Sequence, residues 1–334
     1  MANIILNGNC NRKCVYCFSR LKERKNTQLS LDNLTFICDF FARSKKRKIN
    51  ILGGEPTLHA QFDIFLEYLI SRGFVIHVFT NGMVSAATLK KIDGVISRWQ
   101  LTRHRLKFIV NVNEEKYRRE KEKKMQQRTL CNLHDFCSLS FNIFEKDCHM
   151  DFLLELIAEN KLIPEIRLGL AAPILGKSNQ FLAIEDYPGI VKKINTFSGQ
   201  CQESAVDLVF DCGFPLCIFS DEEIGKLYKN KTQLKFVCHP IPDIDPDLNV
   251  THCYPLSGYF PKKLTDFRNL QEIYTYFHAI LAKNQQAEGI FASCAGCEYR
   301  HRGMCDGGCR AHYLNPHFSP GIVAKCGLEP AVLS

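Results

Sequence analysis

Short apolar runs alternate with longer amphipathic ones through the first half of the chain. Runs at residues 4–6, 49–52 and 75–80 have strand length, and apolar positions at helical spacing predict helices over 31–42 and 62–70. Asn81-Gly82 marks a turn behind the third strand, and Ser85 stands as N-cap to a helix over 86–92. Residues 108–112, 139–144 and 166–170 predict three further strands, with a helix over 152–158 before the last. Strand and helix alternating at this spacing predict an α/β chain of parallel βα units. Periodicity leaves a doubly wound sheet, a full barrel and a partial barrel all open.

After Pro173 the rhythm is expected to break. One more helix is predicted over 184–194, and from Asp207 onward Pro, Gly and Cys become dense while apolar periodicity fades, which marks a second module. At 334 residues the chain is long enough for about two domains. Its 17 cysteines are too dilute for a small disulfide scaffold and too many for chance core filling. The N-terminus has no basic leader followed by an apolar run, and no stretch approaches membrane-span length, so a cytoplasmic protein without membrane contact is expected. Thiols stay reduced there, and clustered cysteines then read as metal ligands or reactive groups.

The first cluster follows the first predicted strand. Cys10, Cys14 and Cys17 form a C-x3-C-x2-C loop, three thiols that can converge on a metal and leave a four-coordinate site one ligand short. Spacing alone also allows a structural zinc loop that borrows a distant ligand. Behind the second strand stands Gly53-Gly54-Glu55-Pro56, where two glycines let backbone approach a ligand and the carboxylate of Glu55 could take a cationic amine.

On these two motifs the sequence resembles the radical S-adenosylmethionine (SAM) superfamily. Cys10, Cys14 and Cys17 match its cysteine loop, with Tyr16 at the aromatic position, and Gly53, Gly54 and Glu55 match its amino-group-binding element. The resemblance implies a partial (β/α)6 TIM-like barrel whose reaction lies at the carboxyl ends of the strands. It implies a [4Fe-4S] cluster on the three cysteines, chelated at its free iron by SAM. Reduction would cleave SAM to methionine and a 5′-deoxyadenosyl radical that abstracts hydrogen from substrate. Further cofactor contacts implied by position are Asn111 or Asn113 after the fourth strand, Asn142 on the fifth and Arg167 on the sixth. No catalytic proton donor or acceptor is identified; His59 and Tyr254 stand near the motifs and read as structural or solvating groups.

The tail holds Cys294-x2-Cys297-x7-Cys305-x3-Cys309-x16-Cys326, preceded by Cys238-x14-Cys253. Paired C-x2-C and C-x3-C units with intervening glycines suit zinc as well as iron and sulfur. Their order is similar to the SPASM extension of many radical SAM enzymes, which implies two auxiliary [4Fe-4S] clusters. By that resemblance Cys294, Cys297, Cys305 and Cys326 hold the outer cluster, and Cys238, Cys253 and Cys309 the inner one. The x7 interval is longer than the family's usual five, and the glycine normally found before the second cysteine is missing. Cys212 and Cys217 are both candidates for the fourth inner ligand, and an open site for substrate is a third option. The implied organisation is a barrel over 1–180, a bridging segment over 181–235 and a SPASM domain over 236–334.

Charge bears on partners. The formal net charge is +8, and residues 103–128 hold ten basic against four acidic side chains. Much of 116–128 reads as a solvated helix face laced with i to i+4 pairs, with residual positive charge available to an acidic precursor peptide. The aromatics are Phe-rich and do not interleave with basic residues, which argues against a nucleic-acid platform. Three functions follow from the resemblance. The first is radical modification of a peptide or protein by crosslink, thioether, epimerisation or oxidation. The others are dehydrogenation or epimerisation of a small molecule such as a sugar or aminocyclitol, and a noncatalytic iron-sulfur or zinc protein. Because the first strand begins almost at Met1, a peptide-modifying enzyme is expected to use a separate leader-recognition protein or direct capture. A flavodoxin or ferredoxin-type reductant is implied as electron donor.

Overall fold

A computed structural model describes residues 2–17, 27–174, 179–257, 260–283 and 289–314. Its spine is a ten-stranded sheet in the order β10-β9-β8-β1-β2-β3-β4-β5-β6-β7. The strands are β1 (Asn3–Ile5), β2 (Lys48–Leu52), β3 (Val75–Thr80), β4 (Leu106–Asn111), β5 (Cys137–Ile143), β6 (Glu165–Leu170), β7 (Asp207–Phe210), β8 (Asp243–Ile244), β9 (Asn249–Thr251) and β10 (Lys262–Lys263). From β1 to β7 neighbours are parallel and in chain order, the outcome of repeated right-handed βα crossovers. On the other side β8 joins β1 in parallel, and β9 and β10 add antiparallel strands.

The helices are α1 (Leu31–Arg43), α2 (Phe62–Ser71), α3 (Ala86–Trp99), α4 (Glu120–Asn132), α5 (Phe152–Asn160), α6 (Tyr187–Glu203), α7 (Asp221–Lys229) and α8 (Leu270–Lys283). Ser30 and Ser85 cap α1 and α3 by accepting from the amides of Asn33 and Thr88. On β3 the alternate residues Ile76, Val78 and Thr80 are buried, and Val75, His77 and Phe79 stand more open. Ile76 and Val78 share the main core with Leu34, Ile37 and Phe41 of α1 and Phe65 and Leu69 of α2. Each large apolar side chain fully buried there stabilises the fold by about 1.5–3 kcal/mol.

The sheet curls. Arg167 on β6 places its guanidinium 5.1 Å from the ring centroid of Phe79 on β3. Across a flat sheet those strands would stand about 14 Å apart. Tyr16 behind β1 likewise packs with Phe144 behind β5 and Ala171 behind β6. The architecture is therefore a parallel α/β sheet bent into a partial barrel, as expected.

Three expectations need correction. The βα rhythm does not stop after Pro173: α6 leads into β7, which pairs with β6 through Glu165↔Asp207 to Leu168↔Phe210. The helix predicted over 184–194 begins at Tyr187 and continues to Glu203, behind a short turn at Ile184–Asp186. Much of 116–128 is helical as expected, within α4 from Glu120, but Lys123 pairs with Glu120 at i to i+3 and with Glu115 from the preceding turn instead of at i to i+4. Among the described residues no helix is long and apolar enough to cross a membrane.

Candidate cofactor and metal sites

The two N-terminal motifs lie side by side. Gly54 N donates to Asn7 O at 2.8 Å and Glu55 N to Asn9 O at 2.6 Å, so the loop behind β2 is zipped to the strand end that leads into Cys10. The Asn7 side chain closes the same seam by donating to Glu55 O at 3.1 Å. Only glycine fits at 54: a Cβ there would stand 2.3 Å from Asn9 O and 2.6 Å from Gly8 O.

Beyond this zipper Cys10, Cys14 and Cys17 are all partly exposed, and none is in a disulfide. A turn closed by Cys17 N donating to Cys14 O at 3.2 Å brings the last two together. Cys10 Sγ faces the amide of Arg12 at 3.4 Å and Nδ2 of Asn81 at 3.8 Å. Donors aimed at sulfur stabilise thiolate charge, which suits ligation. A cleft of about 260 Å³ opens beside the loop, lined among others by Arg12, Cys14, Asn113, Tyr117 and Arg119.

Tyr16 turns inward from the same loop, stacked on Phe144 with ring centroids 4.8 Å apart. Its hydroxyl accepts from Asn111 Nδ2 at 2.7 Å, and Asn111 Oδ1 accepts from Asn142 Nδ2 at 3.2 Å. The Asn113 amide, oriented with its oxygen toward Arg12 Nη2 at 3.2 Å, meets the same hydroxyl at 2.6 Å. Burial pushes the phenol well above its ordinary range, so it stays neutral. Gly169 on β6 makes room for this chain, since a Cβ there would stand 2.8 Å from Asn142 Oδ1. The structure thus joins Tyr16, Asn111, Asn113 and Asn142 into one polar line at the barrel mouth.

Two expected contacts are placed elsewhere. The Glu55 carboxylate does not stand open to an amine: it is fully buried and accepts from Thr57 N and Oγ1, Thr80 Oγ1 and Asn81 N at 3.2, 2.7, 2.8 and 2.7 Å. Burial raises its pKa while those four donors oppose the shift, and its work is to lock the loop behind β2 to the end of β3. Arg167 is held by Asp211 behind β7, through Nε at 3.0 Å and Nη2 at 2.7 Å, instead of reaching toward the Cys10 loop. Burial works against the Asp211 charge, yet this guanidinium holds the carboxyl below its ordinary range.

Asn81 was read from sequence as a turn residue alone. It donates to Glu55 and to Asn11 Oδ1, faces Cys10 Sγ, and accepts from Met83 N at 2.8 Å. Its position at the carboxyl end of a parallel strand was the available signal. Tyr254 donates to Gly53 O at 3.3 Å and so ties the segment behind Cys253 to the glycine motif. His59 is structural, with its ring between Leu29 O and Gln61 N.

Eight of the other cysteines fall into two groups. Burial first, then Cys238, Cys309, Asp243 and Cys212, pushes the Cys253 thiol well up. Cys212 is raised by burial and, in turn, by Asp211, Cys309 and Cys238, which puts Cys212, Cys238, Cys253 and Cys309 within electrostatic reach of one another. The second group holds Cys294, Cys297, Cys305 and Cys217. Cys326 lies outside the described residues. Among the described residues no three His, Cys, Asp or Glu converge as they would on a single ion. Each group nonetheless presents four thiols, the donor number of a cubane of iron and sulfur. Beside the first group Asp243 Oδ2 and both ring nitrogens of His252 are buried without hydrogen-bond partners, polar atoms that a bound group would engage.

Comparison with known proteins agrees with this geometry. Residues 4–102 match the family described as Radical SAM superfamily. An S-adenosylmethionine-dependent nucleotide dehydratase of Thermoplasmatales archaeon (strain ISO4-H5) is 32% identical over 98 residues, 28% of this chain and 34% of that protein. The mycofactocin maturase MftC of Mycolicibacterium smegmatis is 32% identical over 74 residues, 22% of this chain and 19% of that protein. The matched region therefore spans about a third of the first relative and a fifth of the second. Among solved structures, Streptococcus suis SuiB bound to S-adenosylmethionine superposes with a TM-score of 0.64 at 14% identity, covering 95% of this chain and 75% of that one. SuiB bound to precursor peptide SuiA gives 0.61 at 14% identity, over 94% and 72%. Native anSMEcpe with bound AdoMet gives 0.63 at 14% identity, over 98% of this chain and 99% of that one. Residues 4–102 thus match the Radical SAM superfamily, in a chain whose fold is shared with SuiB and anSMEcpe.

Proposed function

We propose that this protein is a radical SAM enzyme that acts on a peptide or protein substrate. One observation carries the reading: the loop behind β1 that bears three thiols outside any disulfide is fastened, backbone to backbone, to Gly53-Gly54-Glu55 behind β2. The donor set fits a cluster held at three corners by Cys10, Cys14 and Cys17, with the fourth left for SAM. When bound, that pair supplies reductive cleavage of SAM to a 5′-deoxyadenosyl radical. The chain's own residues position and exclude. Gly54 lets the two loops touch, Glu55 fixes their distance from β3, and the hydrogen-bonded line of Tyr16, Asn111 and Asn142 would offer amide and hydroxyl groups to the cofactor. Cys212, Cys238, Cys253 and Cys309 would hold one auxiliary cluster, with no corner free for substrate.

The peptide reading is supported by similarity of fold to SuiB, which has been seen with a precursor peptide, over 94% of this chain. A second reading, a small-molecule substrate, is favoured by the N-terminal similarity to a nucleotide dehydratase. The decisive experiment begins with anaerobic reconstitution and reduction. The protein should bind about twelve irons and release 5′-deoxyadenosine from SAM. The Cys10, Cys14 and Cys17 triple alanine variant should lose that release and keep its auxiliary iron. Continued 5′-deoxyadenosine formation by the variant, or zinc without sulfide in the wild type, overturns the assignment. Deuterium transfer from labelled peptide to 5′-deoxyadenosine, against none from labelled nucleotides or sugars, decides the substrate class.

A further inference from the structure

The family pattern closes the outer cluster with Cys326. The structure offers a different thiol, and the argument rests on the reading of that segment as a cluster site. Between β7 and α7 runs the loop Asp211-Cys212-Gly213-Phe214-Pro215-Leu216-Cys217, with both thiols exposed. Gly213 takes φ +110, a reversal that L side chains rarely adopt, and packs its Cα side against Cys309 and Leu170. Phe214 is fully buried and stacks on Phe210 with centroids 4.4 Å apart. These anchors deliver Leu216, whose amide donates to Cys305 Sγ at 3.3 Å. Cys217 follows within a single turn closed by Phe219 N donating to Leu216 O at 3.1 Å.

The other three thiols are already arranged around that point. Cys305 Sγ receives a second amide, from Gly307 at 3.3 Å. Gly289 and Gly307 press their backbones together beside Cys294, where a Cβ on either would stand 2.9 or 3.3 Å from Cys294 Sγ. Cys297 is tied to Cys294 by its amide on Cys294 O at 3.4 Å. Two amides on one sulfur and a glycine cradle around another are the surroundings of ligand thiolates. We propose that Cys217, and not Cys326, is the fourth ligand of the outer cluster, so that one loop supplies a closing thiolate to each auxiliary site, Cys212 to the inner and Cys217 to the outer.

The test compares Cys217→Ala, Cys217→Ser and Cys326→Ala with wild type after anaerobic reconstitution, reading iron, sulfide and Mössbauer area. Both Cys217 variants should lose about a third of the iron, and Cys326→Ala should keep all of it. Alkylation of the wild-type holoprotein followed by mass spectrometry should label Cys326 and leave Cys217 protected. Loss of iron in Cys326→Ala, or full iron in both Cys217 variants, overturns the proposal. A wild type that never exceeds about four irons would instead refute the auxiliary-cluster reading itself.

Discussion

Gly54→Ala tests how closely the two N-terminal loops must fit. The added methyl would stand 2.3 Å from Asn9 O, 2.6 Å from the Asn9 carbonyl carbon and 2.6 Å from Gly8 O. All three are backbone atoms, so no side chain can swing aside, and the loops must part by about 1 Å to restore ordinary contact. Overpacking of this kind costs about 1–3 kcal/mol. Parting the loops also stretches the bonds from Gly54 N to Asn7 O and Glu55 N to Asn9 O, each worth about 1 kcal/mol. The total, about 3–5 kcal/mol, falls on the segment that places Cys10 and not on the barrel core. The variant should therefore remain folded, with little change in far-ultraviolet circular dichroism. A displacement of about 1 Å at a positioning loop costs on the order of a hundredfold in rate, so 5′-deoxyadenosine release should fall by about that factor. The assay is single-turnover SAM cleavage with excess dithionite, normalised to bound iron. A variant that cleaves SAM within twofold of wild type would show that the zipper does not position the loop.

Other perturbations address the supports around it. Glu55→Gln turns an amide NH2 toward either the Asn81 or the Thr57 amide, two donors face to face, and should lower stability by about 1–3 kcal/mol in thermal unfolding; an unchanged midpoint would refute the placement. Tyr16→Phe keeps the stack on Phe144 but leaves Asn111 Nδ2 without its acceptor, so KM for SAM should rise about tenfold with little loss of iron; unchanged KM would remove Tyr16 from the site. Burial raises the Asp243 carboxyl to about 7, opposed by its hydrogen bond from Asn3. Its folded pKa lies above the unfolded one, so its contribution to stability is complete at acid pH and is lost as pH rises through about 7. Chemical denaturation between pH 5 and 8 should show that decline in the wild type and a flatter profile in Asp243→Asn; parallel profiles would contradict it.

The first six strands are legible because each is a compact apolar run between turn signals, and β3 at Val75–Thr80 matches its predicted limits. Beyond Pro173 the signal weakens for identifiable reasons. β7 is only four residues long and β8 only two, too short to show alternation. Helix α8 carried a readable pattern, Leu270, Ile273 and Phe277 at helical spacing and all buried in the main core, but it sits amid the Pro, Gly and Cys density that suggested irregular structure. At the site, spacing identified the cysteine loop and the glycine motif. It gave no access to where Glu55 and Arg167 point, because side-chain direction depends on partners from other strands, Thr80 and Asn81 for one and Asp211 for the other.

The grouping of cysteines also bears on how the curled sheet is closed. Cys212 follows β7, the last strand at one end of the sheet order, and Cys253 follows β9 near the other end. No strand pairing among the described residues joins those ends, yet Cys212 is among the groups that, after burial, push the Cys253 thiol up. The inner group therefore sits where the two limbs of the sheet approach, and a metal cluster there would act as a crosslink where hydrogen bonds do not. Sequence separation between Cys212 and Cys253 is long enough for such a link to restrict the unfolded chain appreciably. Removing the iron with a chelator should then raise amide exchange in β7, β8 and β9 well above that of β2 to β5, which lie in the middle of the sheet away from the seam. Cys212→Ala should reproduce that pattern without chelation, whereas Cys10→Ala should not. Uniform exchange in the metal-free protein, or loosening confined to the Cys10 loop, would mean that the seam is closed by packing alone.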